Sequence, residues 1–286
     1  MTPCVYIVTL NWNRCADTLA FLESCAQQTY SDIRTLVVDN GSTDSSVETI
    51  SAQFPQVEQI ANGRNLGFAA GANVGLQHAL RHGADYVFLA NNDTTLAADA
   101  LAVLVSAAQA HDAAIASPAI FYASAPERVW WLGARRRPWL LEVAPLATHG
   151  SEPFTVDFVT GCGMLISRRC LETVGMFDEQ FFMYYEDSDY CLRVQQAGMR
   201  ILVVPRARMW HKVATSSGGS DSPSERYHMA ASSVRFFRKH ARGRQWLAIV
   251  PYRAGSAART LTRLLSHRRW GAVRAYMRGL WDGARG

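Results

Sequence analysis

Long apolar runs are missing from this sequence. No stretch reaches the roughly eighteen apolar residues that a spanning helix needs. Paired cysteines are missing as well. Cys4, Cys15, Cys25, Cys162, Cys170 and Cys191 show no CxxC spacing, which argues against structural zinc or a disulfide framework and for reduced thiols in a cytosolic setting. No secretory leader is expected, because residues 5–10 are too short for its apolar core and Asn11, Asn13 and Arg14 follow at once. There is no internal repeat, and no glycine-rich loop with Lys or Arg near the start to cradle a triphosphate. Carboxylates are scarce in the last part of the chain. Residues 206–286 hold 17 Lys or Arg against 3 Asp or Glu, whereas the remainder holds 12 against 21. Such a basic end suits an anionic partner, a membrane or a nucleic acid. No aromatic-interleaved reading motif supports the second, so nucleic acid is not an expected partner.

What is present describes a globular protein. The 286 residues are 49% hydrophobic and 19% charged, enough for one large or two smaller domains with a real core. Residues 5–10 read as a buried strand and 16–28 as a helix with Leu19, Leu22 and Cys25 on one face. Strands follow at 35–39, 57–60 and 86–90, with helices from about 45 to 54, from 68 to near Gly83, and over 99–111. This alternation predicts an α/β fold, a mostly parallel sheet flanked by helices on both faces. The regularity weakens after Pro118. Residues 135–150 look like an irregular excursion, 158–166 like a strand pair or one bent strand, 186–198 like a helix, and 201–205 like a last strand. The Ser/Gly-rich residues 215–224 read as a mobile loop, and 225–285 as a helical extension.

Three acidic clusters each close an apolar run. Asp39, before Asn40, Gly41 and Ser42, sits at the end of a strand, where ligands of open α/β sheets collect. It suits a base N–H or ribose hydroxyls, or alternatively a helix cap. Gly67, Gly71 and Gly75 lead into a helix whose start favours phosphate, although small residues also serve helix–sheet packing. Asn65 and Asn73 beside them each donate and accept hydrogen bonds. Asn91, Asn92 and Asp93 end the next strand, and Asp93 suits a divalent cation that bridges to a diphosphate, or a simple turn. Glu186, Asp187 and Asp189 crowd three carboxylates into four residues, so at least one is expected to have a raised pKa. They follow the aromatic run 181–185, as a base beside a sugar requires. His211, after Trp210, is either a metal ligand or an ordinary half-buried histidine.

Residues 7–13 (IVTLNWN), 37–44 (VVDNGSTD), 65–75 (NLGFAAGANVG), 89–93 (LANND), 160–164 (TGCGM), 177–190 (FDEQFFMYYEDSDY) and Trp210-His211 together resemble family 2 inverting glycosyltransferases of the GT-A type, nearest the bacterial rhamnosyltransferase-like branch. The resemblance covers about residues 3–215. It implies a catalytic domain over 1–224, with a nucleotide-binding half to about 117 and an acceptor-binding half beyond, followed by a helical extension over 225–286 that is possibly membrane-associated. It implies a hexosyltransferase that moves a sugar such as rhamnose from a dTDP-, UDP- or GDP-linked donor. The acceptor would be a glycan or lipid-linked molecule in cell-surface polysaccharide (lipopolysaccharide) synthesis, at the inner face of the cytoplasmic membrane. Donor-nucleotide contacts would come from Thr9, Asn11, Asp39, Gly41 and Ser42, and from Asn65, Gly67, Gly71, Asn73, Asn91 and Asn92. Asp93 and His211 would hold Mg²⁺ or Mn²⁺, with Asn91 standing where a strict DxD motif has its first Asp. Asp187 would be the general base. Gly161, Cys162, Gly163, Tyr185, Glu186 and Trp210 would shape the sugar pocket. The competing readings are a sugar-phosphate nucleotidyltransferase and a non-catalytic nucleotide-sugar-binding protein.

Overall fold

The computed structural model describes residues 2–147, 150–213 and 221–285. The first part alternates as its apolar pattern dictates: β1 (Val5–Asn11), α1 (Cys15–Ala26), β2 (Ile33–Asp39), α2 (Ser46–Gln53), β3 (Glu58–Ala61), α3 (Phe68–Arg81) and β4 (Tyr86–Asn91). Strands β4, β1, β2 and β3 pair in that order, all parallel. β1 is apolar at consecutive positions because both of its faces are covered. Tyr6 and Val8 pack with α3, while Val5 and Ile7 pack with α1. Gly71 and Gly75 let α3 lie close on the sheet, since a Cβ at Gly71 would come 2.7 Å from Leu10 and one at Gly75 would meet Val8.

The second part contains β5 (Thr94–Leu96), α4 (Ala100–Ala110), β6 (Ala113–Tyr122), β7 (Ala125–Trp131), β8 (Ala134–Arg136), β9 (Val143–Pro145), β10 (Phe154–Thr155), β11 (Gly163–Ser167), α5 (Arg168–Val174), α6 (Glu186–Gln196) and β12 (Arg200–His211). One sheet runs through both parts in the order β10-β12-β6-β11-β4-β1-β2-β3, with β5 on β12 and β7 on β6. β11 is antiparallel to both of its neighbours, so the sheet is mixed on this side. Helices α3, α5 and α6 cover one face, and α1 and α4 the other. This is the expected α/β architecture.

Several local expectations are corrected. The region after Pro118, expected to lose its regularity, continues β6 to Tyr122 and pairs it antiparallel with β7. Residues 135–150 are not wholly irregular, because β8 and β9 pair with each other. Of residues 158–166, only β11 is a strand, and Phe158 makes a single bridge to Ala134. β12 runs six residues beyond Pro205 to reach His211. Of the stretch expected as a loop, residues 215–220 lie outside the described residues; Ser222 caps the next helix through its Oγ, which accepts from the Glu225 amide at 3.1 Å.

The extension forms α7 (Pro223–His240), α8 (Trp246–Ser266) and α9 (Trp270–Arg285). Phe236 and Phe237 of α7 pack with Phe181, Leu192 and Leu141 of the sheet-bearing part. Leu264, Ala272 and Tyr276 of α8 and α9 bury against Ala230 of α7. Among the described residues no helix is long and apolar enough to cross a membrane.

Candidate active site

A cleft of about 930 Å³ opens at the carboxyl ends of β1 and β4. Its floor carries Asn91, Asn92, Asp93 and His211, and its walls are the start of α6, the loop between β8 and β9, and α7. The strand order puts β1 and β4 side by side, so their polar ends arrive together on one rim.

Behind this rim lies a buried polar network. Asn11 Nδ2 donates to Asp39 Oδ1 and to Ser42 Oγ, both at 3.0 Å. The Ser42 amide donates to Asp39 Oδ2 at 2.9 Å. Thr18 Oγ1 donates to Asn11 Oδ1 at 2.8 Å, and Asn92 Nδ2 donates to Thr18 Oγ1 at 2.9 Å. Asp39 thus has both oxygens engaged and is buried. Thr9, Asn11, Asp39, Gly41 and Ser42 stand behind the cleft rather than on its surface, and Trp12, Asn13 and Arg14 line it instead. Asn65 and Gly67 do line it. They are held by Asn40, whose Nδ2 donates to Asn65 Oδ1 at 3.1 Å and to the Gly67 carbonyl at 3.0 Å. Gly71 and Asn73 do not reach the cleft. Asn73 exchanges hydrogen bonds with the Phe177 backbone at 2.9 and 3.0 Å, tying α3 to the segment before α6.

Asp93 and His211 are 118 positions apart and meet because β5 pairs with β12, His211 opposite Thr94. His211 Nε2 lies 3.2 Å from Asp93 Oδ1, and both residues are buried. The His211 Nδ1 is buried with no hydrogen-bond partner among the described residues. Trp130 packs its ring 4.6 Å from the imidazole. Trp210, one residue earlier, points to the other side of β12 as strand alternation requires. Its Nε1 donates to the Pro126 carbonyl at 3.1 Å, and it is absent from the cleft lining. Gly161 and Cys162 line the cleft, whereas Gly163 begins β11 under Met209. Burial pushes the Cys162 thiol well up, so it is not a thiolate nucleophile.

The segment entering α6 is strained. Tyr184 and Tyr185 have φ of 66° and 67°, left-handed values that cost a non-glycine residue roughly 1–2 kcal/mol each. Tertiary contacts hold them. Ser232 Oγ of α7 donates to the Met183 carbonyl at 2.8 Å, the Phe68 amide of α3 donates to the Phe182 carbonyl at 2.7 Å, and Phe182 stacks on His228 at 4.6 Å. Tyr185 packs against Phe236 at 5.3 Å. The result aims Glu186 and Asp187 into the cleft.

Asp187 is half-buried. Burial raises its pKa, and hydrogen bonds from the Ser188 amide (2.7 Å) and Gly161 amide (3.4 Å), with the Arg136 charge, hold the rise to about 6. That value suits a group that must be ionised near neutrality and still accept a proton. Asp189, two residues on, is fully buried and faces away. Burial opposes its charge, but hydrogen bonds from His240, Lys239 and Arg193 outweigh it and hold the pKa at about 2. Its distances to them are 2.7, 2.6 and 2.8 Å, so it is a structural anchor between α6 and α7.

Sequence reasoning missed Arg14, Asn40, Trp130, Glu142, Glu225 and Met229, all six of which line the cleft. Arg14 directly follows the motif 7–13, and Asn40 lies inside the motif 37–44 beside Asp39. Trp130 and Glu142 lie where the strand pattern was not legible, and Glu225 and Met229 come from the extension. Among the described residues, five carboxyl groups line the cleft (Asp93, Glu142, Glu186, Asp187 and Glu225), against one guanidinium, Arg14.

Solved structures share this architecture. A mannosyltransferase from Pyrobaculum calidifontis, solved with GDP-Man and Mn²⁺, aligns over 99% of this chain and 86% of its own with a TM-score of 0.62 and 17% identity. GalNAc-T7, solved with UDP, GalNAc and Mn²⁺, aligns over 82% of this chain with a TM-score of 0.66 and 16% identity, and the match spans half of that protein's chain. The fold is therefore that of the GT-A glycosyltransferases. The family model for glycosyl transferase family 2 matches residues 5–175, and the chain belongs to that family. It is a glycosyltransferase. Relatives include the dTDP-rhamnosyl transferase RfbF of Shigella flexneri, 26% identical over 72% of this chain and 71% of the relative. The N-acetylglucosaminyl-diphospho-decaprenol L-rhamnosyltransferase of Mycobacterium tuberculosis is 25% identical over 84% of this chain and 86% of its own length.

Proposed function

We propose that the cleft binds a nucleotide-diphospho-sugar and transfers the sugar, with inversion, to a hydroxyl of a glycan or lipid-linked acceptor. The observation that carries this reading is Asp187, poised near pH 6 in the wall of a cleft whose floor holds Asp93 and His211. The acceptor hydroxyl lies against Asp187, which takes its proton as the oxygen attacks the anomeric carbon opposite the leaving diphosphate. Asn65 and Gly67, fixed by Asn40, and Arg14 orient the donor nucleotide, while Asp39, Asn11 and Ser42 brace the rim behind them. Glu142, Tyr185 and Gly161 close around the sugars and exclude water.

A divalent cation fits the floor. A buried carboxylate and imidazole converge there, and the imidazole has an unpartnered ring nitrogen. Among the described residues no three His, Cys, Asp or Glu side chains converge, which suits Mg²⁺ or Mn²⁺ completed by substrate phosphates and water. Bound there, the ion would supply charge neutralisation for the diphosphate beyond that of Arg14.

Rhamnose from dTDP-rhamnose is the first donor to test, and an N-acetylglucosaminyl octyl glycoside the first soluble acceptor, because two relatives are named for such substrates. A panel of dTDP-, UDP- and GDP-sugars with Mn²⁺ or Mg²⁺ decides the class. Release of nucleoside diphosphate supports transfer. Release of pyrophosphate would point to a nucleotidyltransferase, and no turnover to a binding protein.

The proposed place of work is the inner face of the cytoplasmic membrane, in cell-surface polysaccharide synthesis. What supports a peripheral contact is the surface of α8 and α9. Trp246, Leu247, Val250, Leu265, Trp270, Met277 and Trp281 are exposed there, and no Asp or Glu occurs from residue 226 to 281. Aromatic and basic side chains on one surface suit an anionic interface. Removing α8 and α9 is a poor test, since it would uncover the face of α7 that bears Ala230. Replacing Trp246, Leu247, Trp270 and Trp281 by serine should abolish co-sedimentation with anionic vesicles at low salt while leaving donor hydrolysis intact. Wild-type protein that ignores such vesicles refutes the contact.

A further inference from the structure

We propose that Glu186 enters the reaction as a neutral carboxylic acid, donating its carboxyl O–H to an oxygen of the sugar bound beside Asp187. This rests on the reading of the cleft as a sugar-transfer site. Glu186 is the first residue of α6, lines the cleft and is 7% exposed. Its Oε2 is buried and has no hydrogen-bond partner among the described residues. An ionised carboxylate so placed has its own backbone amide as a donor but nothing on Oε2, whereas a protonated one has an O–H to offer a ligand.

The groups around it favour the same division of labour. Asp187 is its neighbour, and two carboxyls in one buried site do not both ionise readily. Burial, then the Asp187 charge, push Glu186 well above the usual carboxylate range. Asp187 holds the Ser188 and Gly161 amides and so keeps the negative charge. Arg14 lines the same cleft, and other basic groups on the surrounding elements have partners. Arg193, Lys239 and His240 bind Asp189; Arg253 binds Glu142 at 3.2 Å; Arg136 donates to the carbonyls of Leu141 and Ser188. Glu225, on α7, accepts from the Asp221 amide at 2.7 Å and pairs with Arg226. Asp93 and His211 face each other on the floor. The pair Glu186–Asp187 therefore presents one hydrogen-bond donor and one proton acceptor on one helical turn. The proton on Glu186 is not transferred; it orients the sugar whose hydroxyl, or whose anomeric carbon, faces Asp187.

The test compares Glu186→Gln, Glu186→Ala and wild type, using dTDP-rhamnose and the N-acetylglucosaminyl octyl glycoside with Mn²⁺. Glu186→Gln keeps a neutral donor and should retain kcat/KM within about threefold, whereas Glu186→Ala should weaken binding of the contacted sugar about tenfold. A rise in acceptor KM identifies an acceptor oxygen, and a rise in dTDP-rhamnose Kd a donor oxygen. The acid limb of the Glu186→Gln profile should coincide with wild type, because one neutral group replaces another. A glutamine variant as inactive as Asp187→Asn with an unchanged Tm overturns the proposal. So does an acid limb displaced to lower pH, or an alanine variant indistinguishable from wild type. Carbon-13 NMR of glutamate carboxyls in unliganded wild type decides the protonation without any variant or turnover. One glutamate should remain protonated at pH 7, and full ionisation of all of them overturns the proposal even if sugar transfer is confirmed.

Discussion

The two sides of the first turn of α6 treat identical side chains in opposite ways. On the cleft side, Asp187 is held to about pH 6, because burial outweighs two amide hydrogen bonds and a distant guanidinium. On the side facing α7, Asp189 is held to about pH 2, because a histidine, a lysine and an arginine close on it. Only the direction of the side chain differs. A carboxylate is reactive where its charge is left partly uncompensated, and inert where compensation is complete.

The strongest way to break this contrast is Asp187→Asn. It should lower transfer by about 10²–10⁴-fold while leaving donor affinity near wild type, measured by initial rates and calorimetry. In wild type the rate should fall as pH drops through about 6, where Asp187 takes up its proton. The same variant sharpens the contrast in stability. A carboxyl with a folded pKa raised above the unfolded value contributes stability that is lost as pH rises through about 6, so Asp187→Asn should melt higher than wild type at pH 7.5.

Asp189→Asn should do the reverse. It leaves Lys239 and His240 against an uncharged partner and should cost about 3–5 kcal/mol in urea unfolding at pH 7, since one member of a buried ion cluster is removed. Because the folded pKa lies below the ordinary 3.8, the Asp189 contribution is present above that value and lost as pH falls towards about 2. A variant as stable as wild type would show that α7 does not depend on this anchor.

At the cleft floor, Asp93→Ala should weaken nucleoside-diphosphate binding about tenfold with Mn²⁺ and little in EDTA. Equal loss in both conditions would make Asp93 structural. His211→Ala should act in the same direction by a smaller factor, and an unchanged metal requirement would return His211 to an ordinary buried histidine.

The first half of the fold was legible because its strands are apolar on both faces and its helices are short and periodic. β1, β2 and β4 fell within two residues of their expected bounds. β6, β7 and the β8–β9 pair were not legible. Strands β7 to β9 are short, largely open to solvent and rich in Arg and Trp, so they carry no clean period. The extension was legible as helix but not in its packing. Its apolar residues divide, Leu264 and Tyr276 going inward while Trp270 and Trp281 stay exposed, because three helices share one interface.

The site divides in the same manner. Local pattern sufficed to bring Asn91, Asn92 and Asp93 to a strand end, and to put Glu186 and Asp187 at a helix start. It did not show that Asp39 would turn both oxygens inward to Asn11 and Ser42, or that Trp210 would face away from the cleft while His211 faces in. Those outcomes depend on which strand lies beside which, and on the register between β5 and β12. The sequence by itself determined the strand-and-helix alternation, the rim of polar residues and the basic, carboxylate-poor end, because each follows from neighbours a few residues apart. Only the tertiary structure decided that Asp187 would face the cleft with a raised pKa while Asp189 would be buried and held ionised. A carboxylate's charge is set by what comes within a few ångströms in space, and Lys239 and His240 of α7 are about fifty residues away along the chain.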